Sequence, residues 1–487
     1  MSLHAARCGF GAVVVNPAFE PEYDFGTDLE GRFLYIADGE RRWLLAAFDF
    51  LYMWRSTCLQ WREAVSRATG IPPSHIWVHT TQVHTAPRAD LLDGPACDKL
   101  VELSLPVIER LAGEAEPAEL SYVVVDLEDR FNFNRETFVP ELGAVTSWGG
   151  QLQTDRPGPP YTQDPDVLLL NGYKPDIPAF HQPVLFDRPV DSLATLLMFR
   201  SCGGDLMGGL LSFAGHPDIA GSGAGLGKRP DQTRYNFDWP GYVRQRLSRE
   251  FRVPAVCVNG PCGNVGIRYT APATYEEADA IAHRIGDGIA SACIDAWRER
   301  AGSWQGLRLG DLSAQTVDLP LKDAMPRSRA DMPSEKDLQE KVQQMEKTFA
   351  DAIRRGETPA RIKRLGDEIL FTVCIRNMVR KWTNISDDEL RNRVMTVELQ
   401  ALRLNDLVLA GFPAESMSDT AMRVRAQTLG ARLVPFDQMN GYHAYLPNDT
   451  AHSEGGYSYW GSLLARGAEP IMRRAAIERI RRVAEGN

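Results

Sequence analysis

Short apolar runs alternate along much of this chain with stretches of helical periodicity, and that alternation constrains the fold more than any other feature. Strand-like runs fall at Gly9 to Val15, Arg32 to Ile36, Trp43 to Phe48, Ile76 to Thr81, Tyr122 to Asp126, Leu193 to Phe199, Leu210 to Phe213 and Val256 to Val258. Helical patterns lie between several of them, at Leu51 to Thr69, Ala96 to Leu111, Gly241 to Phe251 and Tyr275 to Arg300. Strands separated by helices of that length predict an α/β fold, a mixed sheet covered by helices. Two segments break the rhythm. From Phe131 to Val190 the chain is rich in Pro, Gly, Asn and Gln, which predicts long loops over a site or an antiparallel excursion. Residues 326–392 are charged and helical, with Ser334 and Asp337 at a helix start and Arg354-Arg355-Gly356 at its end. We expect a helical insertion there, a lid or an oligomer contact, within a single domain spanning 1–487. Strands resume at Thr396 to Leu404 and Leu407 to Gly411, and helices around Glu415 to Leu429 and Gly461 to Val483 follow.

With 487 residues, 44% hydrophobic and 24% charged, the chain has ample material for a core, and its composition excludes the disordered and fibrous classes. A net charge of -10 argues against nucleic acid or an anionic membrane as partner. Eight cysteines without a CxxC pair suggest a reduced, cytoplasmic protein. No apolar stretch has the length of a membrane span, and Met1 to Arg7 lacks the apolar core of a secretory signal.

The chemistry gathers at strand ends. Ile76-Trp77-Val78 runs into His79-Thr80-Thr81-Gln82-Val83-His84-Thr85-Ala86-Pro87, and if the chain stays extended, Gln82 and His84 share one face and His79 takes the other. His216 follows Leu210 to Ala214, Glu415 follows Leu407 to Phe412, and Tyr442 and Tyr445 stand in Asn440 to Pro447. Side chains from several strand ends can converge on one ion, although each His or Glu taken singly is more often structural. The Gly221 to Lys228 segment looks like a phosphate loop, but Ser222 and Arg229 stand where a Walker motif needs Gly and Ser or Thr. It reads better as a substrate-covering loop, with Lys228 and Arg229 meeting an anionic group.

Taken in order, these clusters resemble the neutral ceramidase family of zinc-dependent amidases. Cys8-Gly9-Phe10-Gly11 with Asn16-Pro17 is similar to its opening strand, and Asp38-Gly39 with Leu44 to Asp49 to its next two. Thr81 to Pro87 resembles its Thr-His-Thr-His-Ser-Gly-Pro motif, Asn134-Arg135 its Asn-Arg pair, and Phe213 to Pro217 its second histidine. Phe237 to Gly241, Asn259 to Val265, Phe412 to Glu415 and Asn440 to Tyr445 resemble four further motifs in the same order. The resemblance implies a zinc ion that takes two histidines, a glutamate and a tyrosine, and it carries three of these over to His216, Glu415 and Tyr445. At the first position Gln82 stands where the family has its ligating histidine, with His84 as the neighbour. Three outcomes are open there: His84 swings in as ligand, which we favour, Gln82 coordinates weakly, or the metal is lost.

The expected activity is hydrolysis of an amide or related C–N bond of a soluble small molecule by zinc-activated water. By resemblance Arg135 binds substrate or the oxyanion, Tyr442 donates a hydrogen bond to it, and His84, if not a ligand, is the general acid or base. Gln82, Asn134, Asn264 and Lys228 are expected to contact substrate, with Trp148, Tyr161, Tyr459 and Trp460 as pocket walls and Asp49 as a supporting partner. Ceramide itself is not the expected substrate, because the family's serine falls at Gly266 and its C-terminal β-domain has no counterpart. The alternative is a metal-free or non-hydrolytic relative: a binding protein, or an acyl-transfer enzyme using the thiol of Cys262.

Overall fold

Arg41–Phe48 shows how the sequence builds the centre of the molecule, for it is apolar on both faces. Trp43, Leu45 and Ala47 enter one buried cluster, and Leu44, Ala46 and Phe48 enter another. Successive strand residues point to opposite sides, so such a strand needs cover on both. The computed structural model describes residues 5–19, 24–86, 94–128, 130–139, 142–146, 188–220, 234–269, 272, 274–300, 303–379 and 385–486. Lys228, Arg229, Trp148 and Tyr161 lie outside the described residues.

The larger sheet is nine-stranded. Its main strands are β1 (Arg7–Val14), β2 (Glu30–Asp38), β3 (Arg41–Phe48), β4 (Ile76–Thr80), β5 (Glu116–Asp126), β6 (Leu193–Ser201), β7 (Leu206–Phe213) and β8 (Ala255–Asn259). They are ordered β8-β7-β6-β5-β1-β2-β3-β4, with parallel pairing at β3/β4 and β7/β8 and antiparallel pairing between the others. A second sheet is formed by β9 (Leu309–Pro320), β10 (Val394–Leu404), β11 (Leu407–Gly411) and β12 (Arg432–Phe436), in that order.

The sheets face each other across a shared core. Trp43, Trp77, Leu197 and Val258 of the first meet Leu402, Leu409, Val434 and Phe436 of the second. Four helices cover the outer face of the first sheet: α1 (Arg55–Thr69), α2 (Pro95–Glu114), α3 (Asp238–Phe251) and α4 (Tyr275–Glu299). The hairpin of α5 (Glu335–Arg354) and α6 (Pro359–Val379) has its own small core around Val342, Phe349, Leu365 and Ile369. After α7 (Ser418–Gln427), helix α8 (Ala468–Glu485) packs Met472, Ala476 and Ile480 on the outer face of the second sheet. The α/β class therefore holds in a four-layer form, in which each sheet is covered by helices outside and by the other sheet inside.

The structure differs from the sequence reading at both edge strands of the second sheet, β9 and β12, and at Glu415. The strand β9 has no counterpart in it, because only the ends of Leu309–Pro320 are buried and the strand shows no apolar face. Glu415 does not open a helix: Glu415–Ser416 pairs in parallel with Tyr445–Leu446, and α7 begins at Ser418. That small pairing sets a carboxylate beside a phenol.

Candidate active site

Strand β4 ends at Thr80, and two residues later Gln82 takes the left-handed conformation, with φ of 65°. Backbone in that region does not continue a strand, so the expectation that Gln82 and His84 share a face does not apply. Gln82 instead enters a cluster of buried side chains supplied by the ends of several strands, where sites in open α/β sheets form. His216 arrives from the loop after β7, Glu415 from the loop after β11, and Tyr445 from the loop after β12. Non-glycine residues with positive φ recur along that last loop, at Gln438, Asn440 and Ala444. Such conformations cost free energy and concentrate at functional sites.

The polar atoms of the cluster are close together. His216 Nε2 lies 3.3 Å from Gln82 Nε2, 3.4 Å from Glu415 Oε2 and 3.4 Å from Tyr445 Oη. Gln82 Nε2 donates to Glu415 Oε2 at 2.6 Å. Arg135 Nη2 donates to Tyr445 Oη at 3.1 Å and to Gly263 O at 2.8 Å, and its guanidinium carbon lies 5.6 Å from the ring centre of Tyr457. Close packing is built in: a Cβ on Gly263 would stand 2.6 Å from Glu415 O, and one on Gly266 would stand 2.8 Å from the ring of Phe133. Phe133 thus fills the space that a side chain at position 266 would need.

Burial decides most protonation states here. It lowers His216 to about 4, keeping it neutral, and the contact of Nδ1 with Val265 O at 3.1 Å places the ring proton there and the lone pair on Nε2. Burial also opposes the Glu415 carboxylate, but its polar surroundings, with a hydrogen bond from Tyr445 and the charge of Arg135 among them, outweigh it and hold the group below its usual range. The hydroxyls of Tyr445 and Tyr442 are pushed well above the usual phenol range, first by burial and then by the charge of Glu415.

An ion-holding arrangement can be tested against these distances. Zinc bonds of ~2.0–2.1 Å in a tetrahedron set neighbouring ligand atoms about 3.3 Å apart. The two spacings of 3.4 Å from His216 Nε2 to Glu415 Oε2 and Tyr445 Oη match that figure, so His216, Glu415 and Tyr445 fit a zinc-type ion. Gln82 fits only with its oxygen turned inward, since an amide nitrogen that carries hydrogens is no ligand. Among the described residues no group of three or more His, Cys, Asp and Glu side chains could hold a metal, and this site offers two such residues with an amide and a phenol.

The other expected site residues lie as follows. His84 donates from Nδ1 to Gln82 O at 3.0 Å, leaving Nε2 as an acceptor, and its ring centre is 5.5 Å from that of His216. Tyr442 stacks on Tyr52, with ring centres 4.2 Å apart. Asn134 and Asn264 line a cavity of about 540 Å³ together with Glu136, Met422, Arg423 and Asn448, and none of the clustered side chains belongs to its described lining. Asn264 Oδ1 accepts the Ser418 N–H at 2.8 Å, at the start of α7. Asp49 is committed to a bidentate pair with Arg244, at 2.7 and 2.6 Å, and reaches the site only through the Thr81 hydroxyl at 3.3 Å. Burial, then the charges of Asp437 and Glu415, push the Cys262 thiol well above its ordinary range, which disfavours a thiolate nucleophile. Tyr457, which stands edge-on to Tyr445 with ring centres 5.5 Å apart, joins the cluster without having been expected there. The signal that could have found it is the resemblance, whose Tyr-Glu step falls at Tyr457-Ser458.

No protein-family model matches the sequence. No curated protein matches it either. Solved structures do resemble it: neutral ceramidase from Pseudomonas aeruginosa and a ceramidase complexed with C2, each at a TM-score of 0.61 and 14% identity, with 99% of this chain and 75% of the other covered. At that identity the likeness speaks for architecture, and the chain has the fold seen in neutral ceramidase.

Proposed function

We propose that this chain hydrolyses an amide or related C–N bond of a small soluble molecule, using a zinc-type ion held by His216, Glu415 and Tyr445. The observation that carries this reading is the pair of 3.4 Å spacings from His216 Nε2 to Glu415 and Tyr445, which suit tetrahedral coordination. The ceramidase fold supports the reaction class, and the free state of all the cysteines accords with a reducing, cytoplasmic setting.

Each side chain has a part that follows from its surroundings. Burial keeps His216 neutral, and it offers Nε2 inward because its Nδ1–H donates to Val265 O. Glu415 supplies the negative charge. An ion in this cradle would polarise the substrate carbonyl and bring the pKa of a bound water toward ~7. Arg135 is a fully buried, permanent cation next to Tyr445, placed to stabilise negative charge developing on the carbonyl oxygen. Tyr442 and Tyr457 stay protonated at neutral pH and serve as donors. His84, favoured from the sequence as the first ligand, has its Nδ1 on Gln82 O, and in this reading its Nε2 serves as the proton carrier instead.

One observation favours the metal-free relative, namely the 2.6 Å bond from Gln82 Nε2 to Glu415, which satisfies the carboxylate without an ion. Metal analysis of protein purified without chelator separates the two readings. About one zinc per chain, lost in both His216→Ala and Glu415→Ala, is the expected result. Absence of zinc in the unaltered chain, with no amidase activity gained on adding it, would sink the hydrolase.

A further inference from the structure

Cys262 is completely buried, and its Sγ lies 2.9 Å from Gln82 Oε1. An amide oxygen only accepts hydrogen bonds, so the thiol is the donor. The amide has two ends, and fixing one fixes the other. With Oε1 held by the thiol, Nε2 points into the cradle, 2.6 Å from Glu415 and 3.3 Å from His216. Turned by 180°, the amide would put an oxygen beside the Glu415 carboxylate, an arrangement that requires a cation between them. It would also leave the thiol facing an NH2 group, to which sulfur is a weak acceptor.

Neither partner can drift to avoid this choice. Cys262 N–H is held by Asp437 Oδ2 at 3.3 Å, and the next N–H, from Gly263, by Ser416 O at 2.8 Å. Gln82 is anchored on both sides, by Thr81 N–H to Phe48 O at 2.9 Å and His84 N–H to Pro217 O at 3.0 Å.

We propose that Cys262 is a positioning residue for the cradle: its thiol and the ion compete for Gln82 Oε1, so that the thiol lowers the affinity for zinc. The proposal rests on the reading of these residues as an ion cradle. In that case the glutamine does not abolish the site but makes its occupancy conditional.

The test is zinc affinity, measured by competition with a chromophoric chelator on the full chain and its variants. Cys262→Ala removes the donor and should bind zinc roughly tenfold more tightly, the worth of one hydrogen bond. Cys262→Ser keeps a donor and should match the unaltered chain, whereas His216→Ala should not bind. Indistinguishable affinities for the unaltered chain and Cys262→Ala, with binding still lost in His216→Ala, would overturn the competition and leave the cradle standing. Zinc binding by none of them, Cys262→Ala included, would overturn both. A metal-independent check is the infrared S–H stretch isolated by subtracting the Cys262→Ala spectrum. It should lie lower than in a Gln82→Ala background, and an unshifted band would refute the bond itself.

Discussion

His79 and His216 are both wholly buried, and burial lowers each to about 4, yet their ring nitrogens end in different company. At His79, Nδ1 donates to Asp437 O at 2.8 Å and Nε2 accepts the Asn259 N–H at 3.0 Å. The ring joins β4 to β8 and to the loop after β12, and both nitrogens are occupied by main chain. At His216 only Nδ1 is given to main chain, and Nε2 faces Gln82, Glu415 and Tyr445. Main-chain partners are fixed by the fold, whereas side-chain partners can be exchanged for a ligand. The difference separates a histidine that belongs to the scaffold from one that belongs to a site, although both look alike by burial and by charge.

The sharpest way to stress that comparison is to damage the scaffold and ask whether the cradle notices. Removing the carboxylate in Asp49→Ala leaves the buried Arg244 with only the longer contact to Glu30 at 3.2 Å. We expect a loss of about 3–5 kcal/mol in denaturant unfolding, while zinc binding at saturating stability is retained. Loss of zinc affinity in the folded variant would show that the two regions are one.

The pH dependence of stability tests His79 directly. The unfolded imidazole has a pKa near ~6.5 and the folded one is lowered to about 4, so the unfolded chain binds the extra proton first. The stabilisation from keeping the ring neutral is fully present above the unfolded value and is lost as pH falls toward 4. One such group is worth about 3 kcal/mol over that window. In His79→Gln the unfolding free energy should fall less steeply there, by up to one proton. An unchanged slope would mean that His79 is not held neutral.

A paired replacement compares the histidines themselves. His79→Leu orphans the Asn259 N–H and the Asp437 carbonyl and should cost about 2–3 kcal/mol with zinc binding intact. His216→Leu should cost less stability and abolish zinc binding. The reverse pattern would exchange their roles. The smallest effect belongs far from both, in the α5–α6 hairpin. Ser334 caps α5 through a reciprocal box with Asp337, so Ser334→Ala should cost about 1 kcal/mol of local stability, read by hydrogen exchange, and leave zinc affinity unchanged.

Much of the first sheet was legible in the sequence because strands buried on both faces are apolar at every position, as in Trp43 to Phe48 and Ile76 to Val78. The edge strands of the second sheet were not. Leu309–Pro320 is mostly half-exposed, and Arg432–Phe436 contains Pro435, which reads as a breaker but is tolerated on an edge strand. Within the site, His216, Glu415 and Tyr445 stand after apolar runs or in a marked loop, but only the resemblance to neutral ceramidases joined them as a ligand set. Tyr457 was not among the expected site residues, and it is the fold of its loop that brings it to Tyr445 and Arg135.

The sequence by itself determined the class of fold and the residue types that meet at the strand ends, because periodicity and apolar runs are local properties of the chain. Which atoms of those residues face one another was decided only by tertiary structure. A period of two assigned Gln82 a face, but the left-handed turn at that residue redirected it. The orientation of its amide then depends on Cys262, 180 residues away along the chain. Contacts over such separations exist only once the sheets have packed, and they decide whether the amide turns a nitrogen or an oxygen toward Glu415 and His216.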